Sequence, residues 1–257
     1  MLSRMTPFMG EFVGTALLVL IGDSVVANNC LARTKGNNAG WLAMCAGWGV
    51  AVFVAVYCVA AASGAHLNPA VTIGLWCAGV FDGDKVSSYI TAQMLGGFVG
   101  AVLMWISYLP HWAKTPDGPT KLGVFCNAPA IRAPLSNFVT EVISTGILIF
   151  GILSLKDAQL NMNDGSVVKM SLGAIGVLPV ALLVFAIGLC LGGSTGYAIN
   201  PARDFAPRIA HALLPIPNKG SSDWGYSWIP IFGPLAGGLL AAWIFKALNT
   251  ASVVAAG

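Results

Sequence analysis

Charge is what this chain has least of. Asp, Glu, Lys and Arg make up 9% of its 257 residues, where soluble domains carry about 25%. With a mean hydropathy of +0.78, that scarcity excludes an ordinary soluble enzyme, and the apolar content excludes a disordered chain. The net charge of +3 comes from scattered residues with no basic run or face, which excludes a nucleic-acid binder. The six cysteines show no Cys-X-X-Cys spacing. Cys30, Cys45, Cys58, Cys77 and Cys190 lie in or beside apolar segments and Cys126 in a loop, and all read as small apolar fillers. No Asn-X-Ser/Thr acceptor occurs, which leans towards a bacterial source. No separate cleavable leader is apparent around Arg4, so the first apolar segment is expected to act as its own insertion signal. An integral membrane protein remains.

What is present is a series of apolar runs of the length a bilayer core demands, about 20 residues per helix. Spans are expected at about 8–31, 41–62, 86–109 and 135–155, from about 170, and at about 224–245. The first is interrupted by Glu11 and Asp23. The 46 residues between Lys35 and Asp82 carry no charge. They are too many for one crossing, and Gly64 and Pro69 break them. A full span is therefore followed by an irregular stretch and a short helix over about 69–78 that cannot cross alone. The uncharged run from Met170 to Ala202 repeats the plan, with a break at Gly192, Gly193 and Gly196 and a short helix after Pro201. A loop with Lys156, Asp157, Asp164 and Lys169 precedes it.

The chain is thus one domain, 1–257, of two repeats at about 5–109 and 135–249, joined by a polar loop over 110–134. Glu11 stands 57 residues before Asn68, and Glu141 stands 59 before Asn200. Aligned on those Asn, Ser63-Gly64 matches Thr195-Gly196 and Leu67 matches Ile199; after the breaks, Gly96-Gly97 and Gly100 resemble Gly233-Pro234 and Gly237. Three spans per half turn the second half upside down relative to the first. The fold expected is an all-α membrane protein: six transmembrane helices plus two re-entrant half-helices in an inverted 3+3 repeat.

Each half-helix opens on Asn-Pro-Ala: Asn68, Pro69, Ala70 and Asn200, Pro201, Ala202. Proline is tolerated at the first helical turn and the preceding Asn caps it. The residues before it must be non-helical, and irregular backbone at membrane depth survives only where it is buried or lines a wet cavity. Two inverted half-helices then point their positive N-termini at the centre. The Asn amides donate there and the carbonyls of the preceding segments accept, which makes a polar track for a neutral hydrogen-bonding solute that repels cations and protons.

With these two motifs the chain resembles the aquaporin (major intrinsic protein) superfamily over nearly its whole length, and within it the glycerol-facilitator branch. The segments Ser63–Thr72 and Gly196–Phe205 match the family's two signatures. The resemblance implies a homotetramer with one pore per subunit, both termini cytoplasmic, in a cell membrane. It places Arg203 at an outer constriction, Trp48 and Tyr197 as the aromatic walls facing it, and Gly188 where water-selective members carry His, so that the constriction is wider. Carbonyls of Gly64, Ala65, His66, Thr195 and Gly196 would line the pore. Asp204 marks the glycerol-conducting branch and stands at helical spacing for a pair with Arg208. Glu11 and Glu141 would accept hydrogen bonds from the irregular loops. Tyr197 departs from the Phe of well-known bacterial members. This leaves glycerol, dihydroxyacetone, urea and small hydroxy acids all open as solutes.

The reading is a passive channel for small uncharged polyols, chiefly glycerol, with some water, excluding ions and protons; it implies no catalysis, cofactor or metal. His66 has no second His or Cys at ligand spacing. The alternatives are a water-selective channel, a coupled transporter drawing on Glu11 or Glu141, and an intramembrane hydrolase built on Ser63 and His66, which lacks an oxyanion or orienting group. Glycine pairs such as Gly10/Gly14, Gly96/Gly100 and Gly233/Gly237 suit either subunit contacts or packing within one chain. Basic residues divide about evenly between the two sides, so charge does not set the orientation. Trp41, Trp112, Trp224 and Trp228 are expected near one interface.

Overall fold

The computed structural model describes residues 5–156, 158–162 and 166–255; Arg4, Asp157 and Asp164 lie outside the described residues. In chain order the helices are α1 (Pro7–Cys30), α2 (Trp41–Ser63), the short α3 (Pro69–Ala78), α4 (Val86–Ser107), α5 (Leu109–Trp112), α6 (Gly118–Phe125), α7 (Pro134–Ser154), α8 (Leu178–Leu191), α9 (Pro201–Leu213) and α10 (Trp228–Ala255). Six stretches among the described residues are long and apolar enough to cross a membrane: α1, α2, α7, α10, and α4 and α8 with the helical turns that lead into them. The re-entrant α3 and α9 are too short to cross, as the sequence requires.

Local chemistry sets the ends. Pro7 opens α1, with the Thr6 hydroxyl accepting from the Met9 amide. Gly64 closes α2 at a φ of 79°, a left-handed turn that glycine adopts without a Cβ clash. The sixth span begins at Trp228, later than expected, because residues 224–227 form turns. The loop before the fifth span is not plain coil. Ala158–Asn161 (β1) pairs antiparallel with Val167–Met170 (β2), Ala158 opposite Met170 and Asn161 opposite Val167. The β-branched Val167 and Val168 favour that geometry.

The two halves pack alike. α1 lies on α2 and α4; α7 lies on α8 and α10. Each half-helix then crosses over: α3 packs on α10, and α9 packs on α4. Small residues let the backbones close. A Cβ at Gly96 or Gly100 would meet the carbonyl oxygen of Phe12 at 2.2 Å or Ala16 at 2.5 Å. At Gly237 it would meet Val142 O at 2.4 Å, and at Gly233 the Glu141 Cβ at 2.7 Å. Gly10 and Gly14 likewise abut Ser63 and Leu67. All three glycine pairs are used within the chain. Trp41, Trp224 and Trp228 are exposed at the surface, but Trp112 is buried, with its Nε1 donating to Trp105 O, so it is no part of an aromatic belt.

Candidate functional site

The segments entering α3 and α9 share one unusual backbone. Gly64, Ala65 and Leu67 have φ values of 79°, 53° and 52°; Gly196, Tyr197 and Ile199 have 81°, 44° and 45°. A left-handed non-glycine residue costs roughly 1–2 kcal/mol, so each segment needs outside support. A buried carboxylate supplies it in both. Glu11 accepts from the Ser63 hydroxyl at 2.7 Å, the His66 and Leu67 amides at 2.9 and 2.7 Å, and Gln93 Nε2 at 2.7 Å. Glu141 accepts from the Thr195 hydroxyl at 2.7 Å and the Ala198 and Ile199 amides at 3.0 and 2.9 Å. Amides that would otherwise be orphaned in an apolar interior are thereby paired.

The half-helices meet N-terminus to N-terminus. Asn68 Oδ1 accepts from the Ala70 amide at 2.8 Å, and Asn200 Oδ1 from the Ala202 and Arg203 amides at 3.0 and 3.2 Å. Each side-chain nitrogen crosses to the opposite segment: Asn68 Nδ2 donates to Ile199 O and Asn200 Nδ2 to Leu67 O, both at 2.8 Å. A carboxamide nitrogen carries two hydrogens, so each Asn keeps one for a guest. Pro69 and Pro201 fill the first helical positions, and Ala70 and Ala202 are buried beside them.

One cavity of about 160 Å³ runs past these groups. Its polar wall holds Gly64, Ala65, His66, Asn68, Asn200, Tyr197 and Arg203; Val52, Val56, Leu148, Ile152 and Val184 face it with hydrocarbon. Trp48 joins the wall, its ring seated where Gly22 has no side chain: a Cβ there would lie 2.2 Å from it. The Arg203 guanidinium lies over that ring, 4.1 Å from the centroid, a cation–π distance. Its Nη1 donates to Phe125 O at 3.4 Å.

Three expected site residues stand elsewhere. The space at Gly188 is not open, because a Cβ there would meet Tyr197 Cζ at 2.5 Å. Gly188 seats the Tyr197 ring, and its carbonyl accepts from Trp41 Nε1 at 3.1 Å while the Trp41 ring meets Tyr197 edge-on. Thr195 and Gly196 lie outside the cavity wall. The Thr195 carbonyl accepts from Asn127 Nδ2 at 3.3 Å, so it is occupied by the chain itself.

Asp204 is fully buried. Its Oδ1 accepts from Arg208 Nε at 3.1 Å and Nη2 at 2.9 Å, and its Oδ2 from the Asn127 amide at 2.6 Å. Ser63 and His66 form no nucleophile–base pair: the Ser63 hydroxyl is given to Glu11, and His66 Nδ1 meets Thr72 Oγ1 at 3.1 Å. Among the described residues no cluster of His, Cys, Asp or Glu is fit for a metal.

A family model described as Major intrinsic protein matches residues 2–245. The chain belongs to the major intrinsic protein family. A probable glycerol uptake facilitator protein of Thermotoga maritima is 51% identical over 245 residues, covering 94% of this chain and all of that one. The glycerol uptake facilitator protein of Bacillus subtilis is 46% identical, covering 95% of this chain and 85% of its own length. The X-ray structure of the aquaglyceroporin from Plasmodium falciparum superposes with a TM-score of 0.78 at 31% identity, over 93% of both chains. As a member of this family, the chain is a multi-pass membrane protein.

Sequence patterns in this family member did not reveal Trp41, Phe125 or Asn127. Trp41 Nε1 and Asn127 Nδ2 donate to main-chain carbonyls, and the remaining contacts are ring packing or backbone groups, none of which leaves a spacing signal; the last two residues sit in what reads as a mere connecting loop. Asp23 did carry a signal, a charge inside a span, without a role attached to it.

Proposed function

We propose that this protein is a passive channel for small uncharged polyols, chiefly glycerol, with some water alongside. The observation that carries the reading is the corner of Arg203 over Trp48 at 4.1 Å, in the wall of the same cavity as Tyr197, Asn68 and Asn200. A linear polyol is amphipathic along its length. Its CH groups can lie on the aromatic rings while its hydroxyls accept from the guanidinium fork. Deeper in, the spare N–H of each Asn and the backbone of Gly64, Ala65 and His66 replace the solute's hydration on one side, and aliphatic side chains line the other.

Exclusion of ions and protons follows from the same parts: two half-helix N-termini and Arg203 set a positive potential along the path. No step makes or breaks a bond, so no catalytic role is assigned. The names of the relatives at 51% and 46% identity support glycerol as the solute. A bacterial cell membrane, cytoplasmic termini and a homotetramer complete the proposal; the glycine pairs lend the tetramer no support, since they pack inside the chain.

The test is stopped-flow light scattering of vesicles holding the purified protein. Shrinkage in glycerol followed by rapid re-swelling is expected, with none in a non-permeant osmolyte; absence of re-swelling defeats the assignment. One observation favours the water-selective alternative: the Tyr197 ring occupies the space that Gly188 leaves. On that reading water passes and glycerol does not, until Tyr197→Ala reopens the space. A coupled transporter needs an ionisable group in the path. Asp23 is near, but it faces Arg203 and does not line the cavity, and the His66 ring beside the cavity is held at Thr72 Oγ1, so glycerol flux is expected to ignore an imposed proton gradient.

A further inference from the structure

Asp23 is the group that nothing above uses. It projects from α1, is 0% exposed, and neither carboxylate oxygen has a hydrogen-bond partner among the described residues. A buried carboxylate without donors is strongly unfavourable unless a charge stands by. That charge is Arg203, whose Nη1 lies 3.7 Å from Asp23 Oδ1. Asp204, although adjacent to Arg203 in sequence, does not serve, because its oxygens are taken by Arg208 and the Asn127 amide.

α1 thus supplies two consecutive residues to the same corner. Gly22 seats the Trp48 ring on which the guanidinium lies, and Asp23 faces the guanidinium itself. The Nη1 edge is turned towards Phe125 O and Asp23. The rest of the fork is left for the cavity that Arg203 lines.

We propose that Asp23 is a specificity-determining counter-charge: it orients the Arg203 fork and offsets part of its charge, so that solute hydroxyls are bound there while small anions are not retained. An unpaired guanidinium in a narrow, water-poor passage would hold a monoanion and block the path. The inference rests on the polyol-channel reading of the same corner.

The experiment compares wild type, Asp23→Asn and the double variant Asp23→Asn/Arg203→Gln in vesicles, with chloride or the bulky gluconate as the anion at equal ionic strength. Wild-type glycerol re-swelling should be the same in both salts. In Asp23→Asn, chloride should slow it by about threefold or more, as an uncompensated charge at low dielectric would; in the double variant the difference should vanish. A merely structural Asp23 would change the amount of active channel but not its response to the anion. Equal rates for Asp23→Asn in the two salts overturn the proposal while leaving the channel reading intact. If wild type passes no glycerol, that reading fails, and chloride block of osmotic water flux decides the counter-charge question in its place. If Asp23→Asn does not fold, recovery of folded protein in the double variant supports the charge pairing, and failure of both alike refutes it.

Discussion

The two re-entrant segments have one backbone and two chemistries. Both carry left-handed residues at matched places, both hang from a buried Glu, and both exchange an Asn amide for the other's carbonyl. Aligned on those Asn, the first segment carries Ala65, Val71 and Thr72 where the second carries Tyr197, Arg203 and Asp204. The neutral set closes on itself, Thr72 bonding His66, Gln93 and the Asn68 carbonyl. The charged set needs a wider scaffold: Arg208 for Asp204, Asn127 from the connecting loop, Asp23 from α1. What the bilayer requires of irregular backbone is met identically twice. Of the two re-entrant segments, only the second brings a guanidinium and a phenol ring to the cavity wall.

The comparison breaks most visibly at the ion pair. Arg208→Ala leaves Asp204 buried without its cation, and removal of one partner of such a pair costs about 3–5 kcal/mol. Thr72→Val, at the place matching Asp204, removes neutral hydrogen bonds only and leaves Gln93 on Glu11, so about 1–3 kcal/mol is expected. Thermal unfolding of the detergent-purified variants ranks them; equal losses would mean that the second segment has no special dependence on charge.

A second contrast concerns selectivity. Arg203→Ala removes the donor fork from the cavity wall. Larger polyols are then expected to gain about tenfold over glycerol, some 1.4 kcal/mol of discrimination, and charged solutes to leak. Val71→Ala, the matched change in the first segment, also trims the cavity wall but removes no donor, so a smaller shift in the ratio of polyol rates is expected. Flux ratios in vesicles read this independently of how much protein is active, and an unchanged ratio in Arg203→Ala would remove that residue from the filter.

The fold was legible because the bilayer imposes it. Apolar runs poor in charge gave the six spans, and Gly64, Pro69, Gly196 and Pro201 gave the breaks, since they divide each run too long for one crossing into a full span and a short helix. The inversion followed from counting three spans per half. The sixth span began four residues late and the loop before the fifth paired as strands, because turn and hairpin geometry depend on neighbours that periodicity does not report. At the site, Asn68 and Asn200 had a signal in the repeated motif, whereas Trp48, Tyr197 and Arg203 rested on the family resemblance and the aliphatic lining had no signal. Gly188 was misjudged for a definite reason: an absent side chain says that space is needed, not what fills it, and here the filler is the Tyr197 ring. Phe125 serves through its main-chain carbonyl, which any residue type carries, and Asn127 through both its main chain and a single side-chain bond to Thr195 O that no spacing announces.

The smallest expected effect tests what the two segments share. Ser63 and Thr195 stand at matched places. Each hydroxyl donates to its Glu at 2.7 Å and accepts an amide two residues on, from Ala65 at 3.0 Å and Tyr197 at 3.3 Å. Neither hydroxyl touches a solute on the reading above. Ser63→Ala and Thr195→Val should therefore each cost about 1 kcal/mol of stability and leave glycerol and water rates per folded channel unchanged. Because the two bonds do the same work, the two losses should agree. A larger loss for Thr195→Val would show that the charged copy leans harder on its brace than the neutral one; a loss of glycerol flux in Ser63→Ala alone would show instead that the first segment is more than a mirror-image support.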